Sequence, residues 1–203
     1  MYFRDTRSVI KYCKKYIEGT VLDFGCGDAK YKEIIEESAD EYLGMDMSKA
    51  GEVDIVGDIE NAPLENDSVD TIICTQVLEH TKNPFKVVSE ISRILRKNGI
   101  CIITAPFICA YHPHPLDCFR FTPEGLRQLC IQHNLKVIET HKTGKIYSVL
   151  YQLMRFSLFN PYKPSRRGTY RINHALESIS NFFNRFTSNE IIFTGSVVIA
   201  RKE

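Results

Sequence analysis

Short apolar runs separated by polar, glycine-containing turns dominate the first half of the chain. Each run is too short for a buried helix and therefore predicts a strand. The five runs lie near residues 20–24, 41–45, 53–57, 70–74 and 100–104. Between them, apolar residues three or four positions apart predict helices, including one over about 28–37 and one from Asn83-Pro84 to about Lys97. Strands that alternate with helices predict a parallel sheet with helices on both faces.

The last third of the chain has a different pattern. Two further strands are predicted near 135–140 and 191–201, and residues 145–189 form an insertion between them. Because a structureless loop of that length would be unusual, two helices with apolar faces are predicted within it. From His141 to Glu190 the chain carries eight basic residues and two acidic ones. This pattern fits a lid over a substrate pocket, a contact with a membrane surface or a dimer interface.

The first strand runs into a glycine turn within residues 21–28, whose sequence is VLDFGCGD. Gly25 and Gly27 allow a sharp bend and the close approach of a ligand, as at the nucleotide sites of open α/β sheets. A dinucleotide motif would add a third glycine, which is absent here, and Asp28 would repel a diphosphate. S-adenosylmethionine, which is positively charged at sulfur and carries no phosphate, fits better, with Asp23 near its ammonium group directly or through water. The alternative is an ordinary glycine turn capped by Asp28.

The next two predicted strands also end in carboxylates. Asp46 lies about twenty residues beyond the glycines, where an acid that binds both ribose hydroxyls is expected. Met47 follows it and can pack on the adenine face. Asp58 ends the third strand and is placed to accept a hydrogen bond from the adenine amino group. A single aspartate at such a position is usually a turn residue, but acids at the ends of successive strands favour a nucleoside site.

These motifs resemble those of class I S-adenosylmethionine-dependent methyltransferases, over roughly residues 15–140 and the last dozen. Segments 67–80 and 94–104 match as well. The resemblance implies an α/β, Rossmann-like seven-stranded sheet, mostly parallel with an antiparallel last strand, helices on both faces and a helical insertion before that strand. It also implies that Gln76 lies beside the methionine part of the cofactor and Ile59 beside the adenine. We therefore expect one methyltransferase domain over 1–203, with 145–189 inserted in it.

The acceptor side is expected in residues 106–122, which follow the fifth strand and present His112, His114, Asp117 and Arg120. His112 or His114 is a candidate general base for a hydroxyl group, and Asp117 is a candidate for orienting the imidazole. The alternative is that these residues pin the loop, with Asp117 or Arg120 paired internally. Some methyltransferases that act on sugars or other small hydroxyl acceptors have a similar His-Pro, Asp and Arg-Phe-Thr-Pro pattern, which favours O-methylation.

Two possible metal sites are considered, and no metal is predicted. The first set comprises Cys109, His112, His114 and Cys118. The spacing of these four residues is not a recurrent zinc pattern. Glu79-His80 resembles the Glu-His pair that some quinone-pathway O-methyltransferases offer to a divalent ion, but Gln76 stands where that cluster has its first acid. Because an amide is a poorer ligand for a hard cation, Glu79 and His80 are interpreted as residues that line or close the pocket.

Composition and charge bear on the number of domains, on nucleic-acid binding and on the cellular setting. A chain of 203 residues is long enough for one domain with a substantial core. The net charge of +1 gives no global field that would favour nucleic acid. Seven scattered cysteines and the charged first 18 residues favour a reduced, cytoplasmic setting. A monomer or a homodimer is expected.

The predicted function is S-adenosylmethionine-dependent methylation of a small-molecule substrate, with O-methylation favoured. Three alternatives stay open at this point. The first is a non-catalytic cofactor-binding or membrane-surface module, with the surface contact made through 145–189. The second is a methyltransferase directed to a lipid or quinone. The third and weakest is an oxidoreductase, which the missing third glycine of the turn disfavours.

Overall fold

The computed structural model describes residues 1–49, 51–113, 115–158, 167–188 and 191–203. Within these ranges, eight strands form one mixed sheet in the order β1-β7-β8-β6-β5-β2-β3-β4. They are β1 (Tyr2–Phe3), β2 (Thr20–Phe24), β3 (Glu41–Asp46), β4 (Ile55–Val56), β5 (Val69–Thr75), β6 (Leu95–Pro106), β7 (Leu135–Thr143) and β8 (Gly195–Lys202). Only β8 runs antiparallel to its neighbours in this sheet. The carboxyl ends of the other strands therefore share one edge.

The described ranges contain six α-helices. They are α1 (Thr6–Cys13), α2 (Lys32–Glu36), α3 (Pro84–Ile94), α4 (Pro123–Ile131), α5 (Ile146–Leu158) and α6 (Arg167–Asn184). The predicted start of α3 is confirmed, because the side chain of Asn83 accepts Lys86 N and Pro84 follows it. Thr122 caps α4 in the same way, since its side chain accepts Gly125 N and Pro123 follows it. No described helix is long and apolar enough to cross a membrane.

Each face of the sheet is buried by its own set of helices. Leu22 and Phe24 of β2 lie in one apolar cluster with α3 and α4, whereas Val21 lies in the other with α1 and α2. This alternation is the period of a strand covered on both faces. The predicted α/β sheet with an antiparallel last strand and helices on both faces is therefore confirmed.

Three details of the prediction are wrong. The sheet has an eighth strand, β1, which is too short to carry any periodic signal. The helix expected from residue 28 begins at Lys32, because Ala29 has φ +52 and cannot continue a right-handed helix. Asp28 is therefore an exposed turn residue and not a helix cap. The helix expected to reach Lys97 ends at Ile94, where β6 begins directly.

Candidate active site

The glycine turn after β2 is bound to the neighbouring strand through its main chain. Gly25 N and Cys26 N donate to the Met45 carbonyl at 2.8 and 3.0 Å. Gly25 has φ +83, and a Cβ there would lie 2.5 Å from a methyl group of Val77, so a side chain is excluded. Gly27 has φ +56, and a Cβ there would meet nothing within 4 Å. The turn is thus fixed in position and open above Gly27, as a ligand site requires.

Asp46 joins the end of β3 to this turn. Its carboxylate accepts hydrogen bonds from Gly27 N at 3.0 Å and from Ser48 N at 3.3 Å. Each oxygen of a carboxylate has a further lone pair, so both can still accept a hydroxyl group of a ribose. The structure therefore brings Gly25, Gly27 and Asp46 together, as a nucleoside site needs.

Asp23 lies beneath the turn and is only 2% exposed. Tyr42 of β3 donates to its carboxylate at 3.0 Å, a partner that the sequence analysis did not identify. Burial raises the pKa of the Asp23 carboxyl to about 6, against the opposing hydrogen bond from Tyr42. A contact between Asp23 and the cofactor ammonium stays a prediction.

That pKa predicts how cofactor binding depends on pH. If ionised Asp23 attracts the ammonium group, affinity for S-adenosylmethionine is constant above about pH 7. It then falls below about pH 6, by up to about tenfold per pH unit, as Asp23 takes up a proton. Calorimetric titrations across this range test the effect. Asp23→Asn should bind more weakly and lose the dependence; an affinity of the unaltered protein that does not change with pH would refute the contact.

The adenine side of the predicted site lies around β4. Met47 is 64% exposed next to Asp46, whereas Ile59 is buried. Asp58 is exposed, and its Oδ1 accepts a hydrogen bond from Glu60 N at 2.9 Å in an Asx-type turn. The second carboxylate oxygen of Asp58 keeps acceptor capacity. The adenine contacts of Met47, Asp58 and Ile59 stay predictions.

Gln76 follows β5 and has φ +56, which is costly for a residue with a side chain. Its main-chain N donates to the Thr104 carbonyl at 2.9 Å, and its Nε2 donates to Thr104 Oγ1 at 3.0 Å. These two bonds to β6 hold the strained backbone in place. Gln76 also lines a cavity of about 190 Å³ at the strand ends.

Polar side chains line most of this cavity, including several that the sequence analysis missed. The N-terminal segment contributes Arg4 and Asp5, α5 contributes Tyr151, and α6 contributes Glu177. Asp5 also caps α1 in a reciprocal box with Ser8, a signal that the sequence does contain. The cavity lies between strand ends and the inserted helices, which is where an acceptor would meet a cofactor at Gln76.

Asp117 is held inside its own loop. Its side chain is 1% exposed and forms a two-pronged ion pair with Arg120, with Nη2 of Arg120 2.8 Å from Oδ2. Oδ2 also accepts His112 N at 2.9 Å. The Arg120 guanidinium lowers the pKa of Asp117 to about 2. These contacts match the alternative in which Asp117 and Arg120 pair with each other and hold the loop in place.

The imidazole of His112 lies against a second cluster. Its Nδ1 is 2.8 Å from the Ala110 carbonyl, and its ring meets the His80 ring edge-on with centroids 5.2 Å apart. Glu79 beside them is 1% exposed, and neither of its carboxylate oxygens has a hydrogen-bond partner among the described residues. Burial raises the pKa of Glu79 to about 7. His114, the other candidate base, lies outside the described residues.

Comparison with known proteins finds similarity to methyltransferases over part of the chain. A family model for a methyltransferase domain matches residues 22–103. A probable S-adenosylmethionine-dependent methyltransferase from Mycolicibacterium smegmatis is 31% identical over 103 residues, which is 46% of this chain and 40% of that relative. The chain therefore matches less than half the length of this curated relative.

Two solved structures share the fold at low identity. A SAM-dependent methyltransferase from Archaeoglobus fulgidus is 19% identical with a TM-score of 0.62, over 98% of this chain and 96% of that one. The cyclase SpnF is 15% identical with a TM-score of 0.64, over 97% of this chain and 80% of that one. The fold extends over nearly the whole chain in both comparisons.

The family model over residues 22–103 and the shared fold support the class that the sequence predicts, the class I S-adenosylmethionine-dependent methyltransferases. S-adenosylmethionine is the cofactor of this class. The residues fit this cofactor, because the space above Gly27 is open and Asp46 has acceptor capacity for a ribose.

Proposed function

We propose that this protein transfers a methyl group from S-adenosylmethionine to a hydroxyl oxygen of a small polar acceptor. The observation that carries the proposal is the polar cavity beside Gln76, at the edge of the sheet that also carries Gly27 and Asp46. Its volume of about 190 Å³ suits a small molecule. Side chains such as Arg4, Glu177 and Tyr151 provide hydrogen-bond donors and acceptors for hydroxyl groups.

The chain's own contribution to catalysis is mainly positioning. When bound, the cofactor supplies a methyl group on a positively charged sulfur, and the acceptor oxygen must approach it in line. Polar groups on α5 and α6 hold the acceptor from the side opposite the strand ends, so the insertion acts as a lid. Asp117 supports the loop through Arg120 and His112 N and is therefore a positioning residue.

His112 is the candidate proton acceptor that the described residues retain. A carbonyl only accepts hydrogen bonds, so the contact with Ala110 O assigns the proton of a neutral ring to Nδ1 and the lone pair to Nε2. A lone pair on Nε2 is the form that a general base requires. His112 can act as a base only while no cation is bound to its Nε2 atom.

The cavity assignment predicts a specific change in acceptor binding. In Tyr151→Phe one hydroxyl group of the cavity wall is lost, so KM for the acceptor should rise about 3- to 10-fold, the value of one hydrogen bond. The affinity for S-adenosylmethionine should not change. Transfer of labelled methyl groups to a panel of polyols, sugars and phenols identifies an acceptor and provides KM.

Tyr147→Phe is the matched control, because Tyr147 is on the same helix but does not line the cavity. Equal KM values for the two variants would show that the acceptor binds elsewhere. If no member of the panel is methylated while the cofactor binds normally, the hydroxyl-acceptor proposal fails.

A second candidate role, contact with an anionic membrane surface, is favoured by the apolar side chains of α5, α6 and the turn after α6. Each of the following is at least 40% exposed: Leu150, Leu153, Met154, Leu158, Ile172, Ile179, Phe182, Phe183 and Phe186. Arg155 and Arg185 add positive charge near them. Apolar and basic residues on one surface are typical of helices that bind the membrane interface.

This candidate predicts binding to vesicles that contain anionic lipid. Replacing both Phe182 and Phe186 by serine should lower the fraction bound at least about tenfold, because two large apolar side chains no longer enter the lipid. Sedimentation with vesicles measures that fraction. Phe85→Ser is the control, since Phe85 is 51% exposed on α3; an equal loss in the control, or no binding by the unaltered protein, would rule out this surface.

A further inference from the structure

We infer that Glu79, His80 and His112 form a binding site for one divalent transition-metal ion such as Zn²⁺. Among the described residues, these three side chains each bring one ligand atom within 4.8 Å of the other two. Ligand atoms around a tetrahedral zinc ion are about 3.5 Å apart at usual bond lengths. Shifts of about 1 Å in the side chains would therefore complete the coordination. The inference does not depend on the acceptor proposed above.

The strongest observation is the carboxylate of Glu79. It is 1% exposed, and neither oxygen has a hydrogen-bond partner among the described residues. A buried carboxylate is normally hydrogen-bonded, paired with a cation or protonated. Oε1 lies 3.8 Å from Nε2 of His80, so it faces the cluster. A bound cation would satisfy the charge that the described side chains leave uncompensated.

In both imidazoles Nδ1 contacts a main-chain carbonyl, which leaves Nε2 for a metal ion. Nδ1 of His80 contacts the Leu116 carbonyl, and Nδ1 of His112 is 2.8 Å from the Ala110 carbonyl. Since carbonyls only accept, each neutral ring carries its proton on Nδ1 and a lone pair on Nε2. A backbone carbonyl that binds the second ring nitrogen is the usual support of a metal-ligating histidine.

The main chain fixes the two halves of the site against each other. His112 belongs to the loop after β6, whereas Glu79 and His80 belong to the turn after β5. Cys118 N of that loop donates to the Glu79 carbonyl at 2.7 Å, and the His80 contact with Leu116 joins the same two segments. These contacts between the two segments hold the three ligand side chains near one another, so the site needs no large rearrangement to form.

The surrounding charges are compatible with a cation. Arg120 is the nearby positive charge, and the two-pronged pair with Asp117 neutralises it. Gln76 is not a ligand in this arrangement, because its amide is bonded to Thr104. Two imidazole nitrogens and one carboxylate favour zinc, iron or cobalt over magnesium or calcium, which prefer oxygen.

The set of three protein ligands leaves a coordination position open. Cys109 lines the acceptor cavity, and its Sγ lies 3.8 Å from Nδ1 of His112, so the site borders the cavity wall. A hydroxyl group bound to the ion at that position would lose its proton more readily. In the metal-bound form Nε2 of His112 binds the ion and cannot accept a proton. The effect of the ion on the bound hydroxyl group then replaces the role of His112 as a base.

The test is metal binding by the full chain after treatment with a chelator. Calorimetry with Zn²⁺, Co²⁺ and Mg²⁺, together with elemental analysis after dialysis, should show one Zn²⁺ or Co²⁺ per chain and no stoichiometric Mg²⁺. Glu79→Gln and His112→Asn should each weaken zinc binding about a hundredfold or more, since even outer partners of ligands contribute about 10- to 100-fold. His133→Asn, in the turn between α4 and β7, is the control and should bind as the unaltered protein does.

Thermal unfolding provides a second measure that does not depend on activity. Zn²⁺ should raise the Tm of the unaltered protein and of His133→Asn but not that of Glu79→Gln. Two results would overturn the proposal: no stoichiometric ion of any kind, or zinc affinity that is unchanged in both ligand variants. Binding of S-adenosylmethionine, measured in parallel, separates failure of this site from failure of the cofactor site.

Discussion

Replacing Asp46 by alanine is expected to weaken the binding of S-adenosylmethionine at least about a hundredfold. The carboxylate accepts both ribose hydroxyls in the proposed site, and a hydrogen bond to a charged group contributes about 1.5 to 3 kcal/mol. Two such bonds give about 3 kcal/mol or more, which is about a hundredfold or more in Kd. Isothermal titration of the purified variant with the cofactor measures the change.

The control must separate cofactor binding from support of the glycine turn, because Asp46 also accepts Gly27 N. Asp46→Asn keeps one side-chain oxygen for that amide but loses the charge, so its Tm should stay close to that of the unaltered protein while its affinity falls. Asp40→Ala, at the opposite end of β3, should change neither quantity. An Asp46→Ala variant that binds the cofactor with unchanged affinity would remove the basis of the site described here.

Replacing Arg120 by methionine is expected to lower the free energy of unfolding by about 2 to 3 kcal/mol near neutral pH. The change leaves the 1% exposed side chain of Asp117 with no cation beside it. Breaking one half of a fully buried ion pair costs about 3 to 5 kcal/mol, and the 27% exposure of Arg120 reduces this cost. The same loss should release the loop that carries His112, because Asp117 also accepts His112 N. Urea denaturation followed by circular dichroism measures the stability.

The double variant Asp117→Asn, Arg120→Met is the control, because it removes both charges and should recover most of the stability. The pH dependence gives an independent check. The pKa of Asp117 is about 2 in the folded protein, below its usual value of 3.8. The stability from this pair is therefore fully present above about pH 4 and is lost as the pH falls through about 2. If Arg120→Met unfolds at the same urea concentration as the unaltered protein, the pair does not support the loop.

The elements with strong local signals were predictable from the sequence. Asn83 and Thr122 each precede a proline and each begin a helix, because cap and proline chemistry acts within one turn. The start of α2 was not predictable in this way. Ala29 has a left-handed backbone directly after the glycine turn, and an alanine gives no local signal of such a conformation.

The sequence by itself determined the α/β class, the glycine turn and the acids that follow successive strands. These features depend on local periodicity and on the rule that parallel strands end at one edge. The tertiary structure decided which of the candidate residues meet. Asp117 binds Arg120 within its own loop, whereas His112 joins Glu79 and His80 from about 30 positions away along the chain. The adjacency of β5 and β6 and the path of the loop after β6 bring them together, and periodicity along one element contains no information about either.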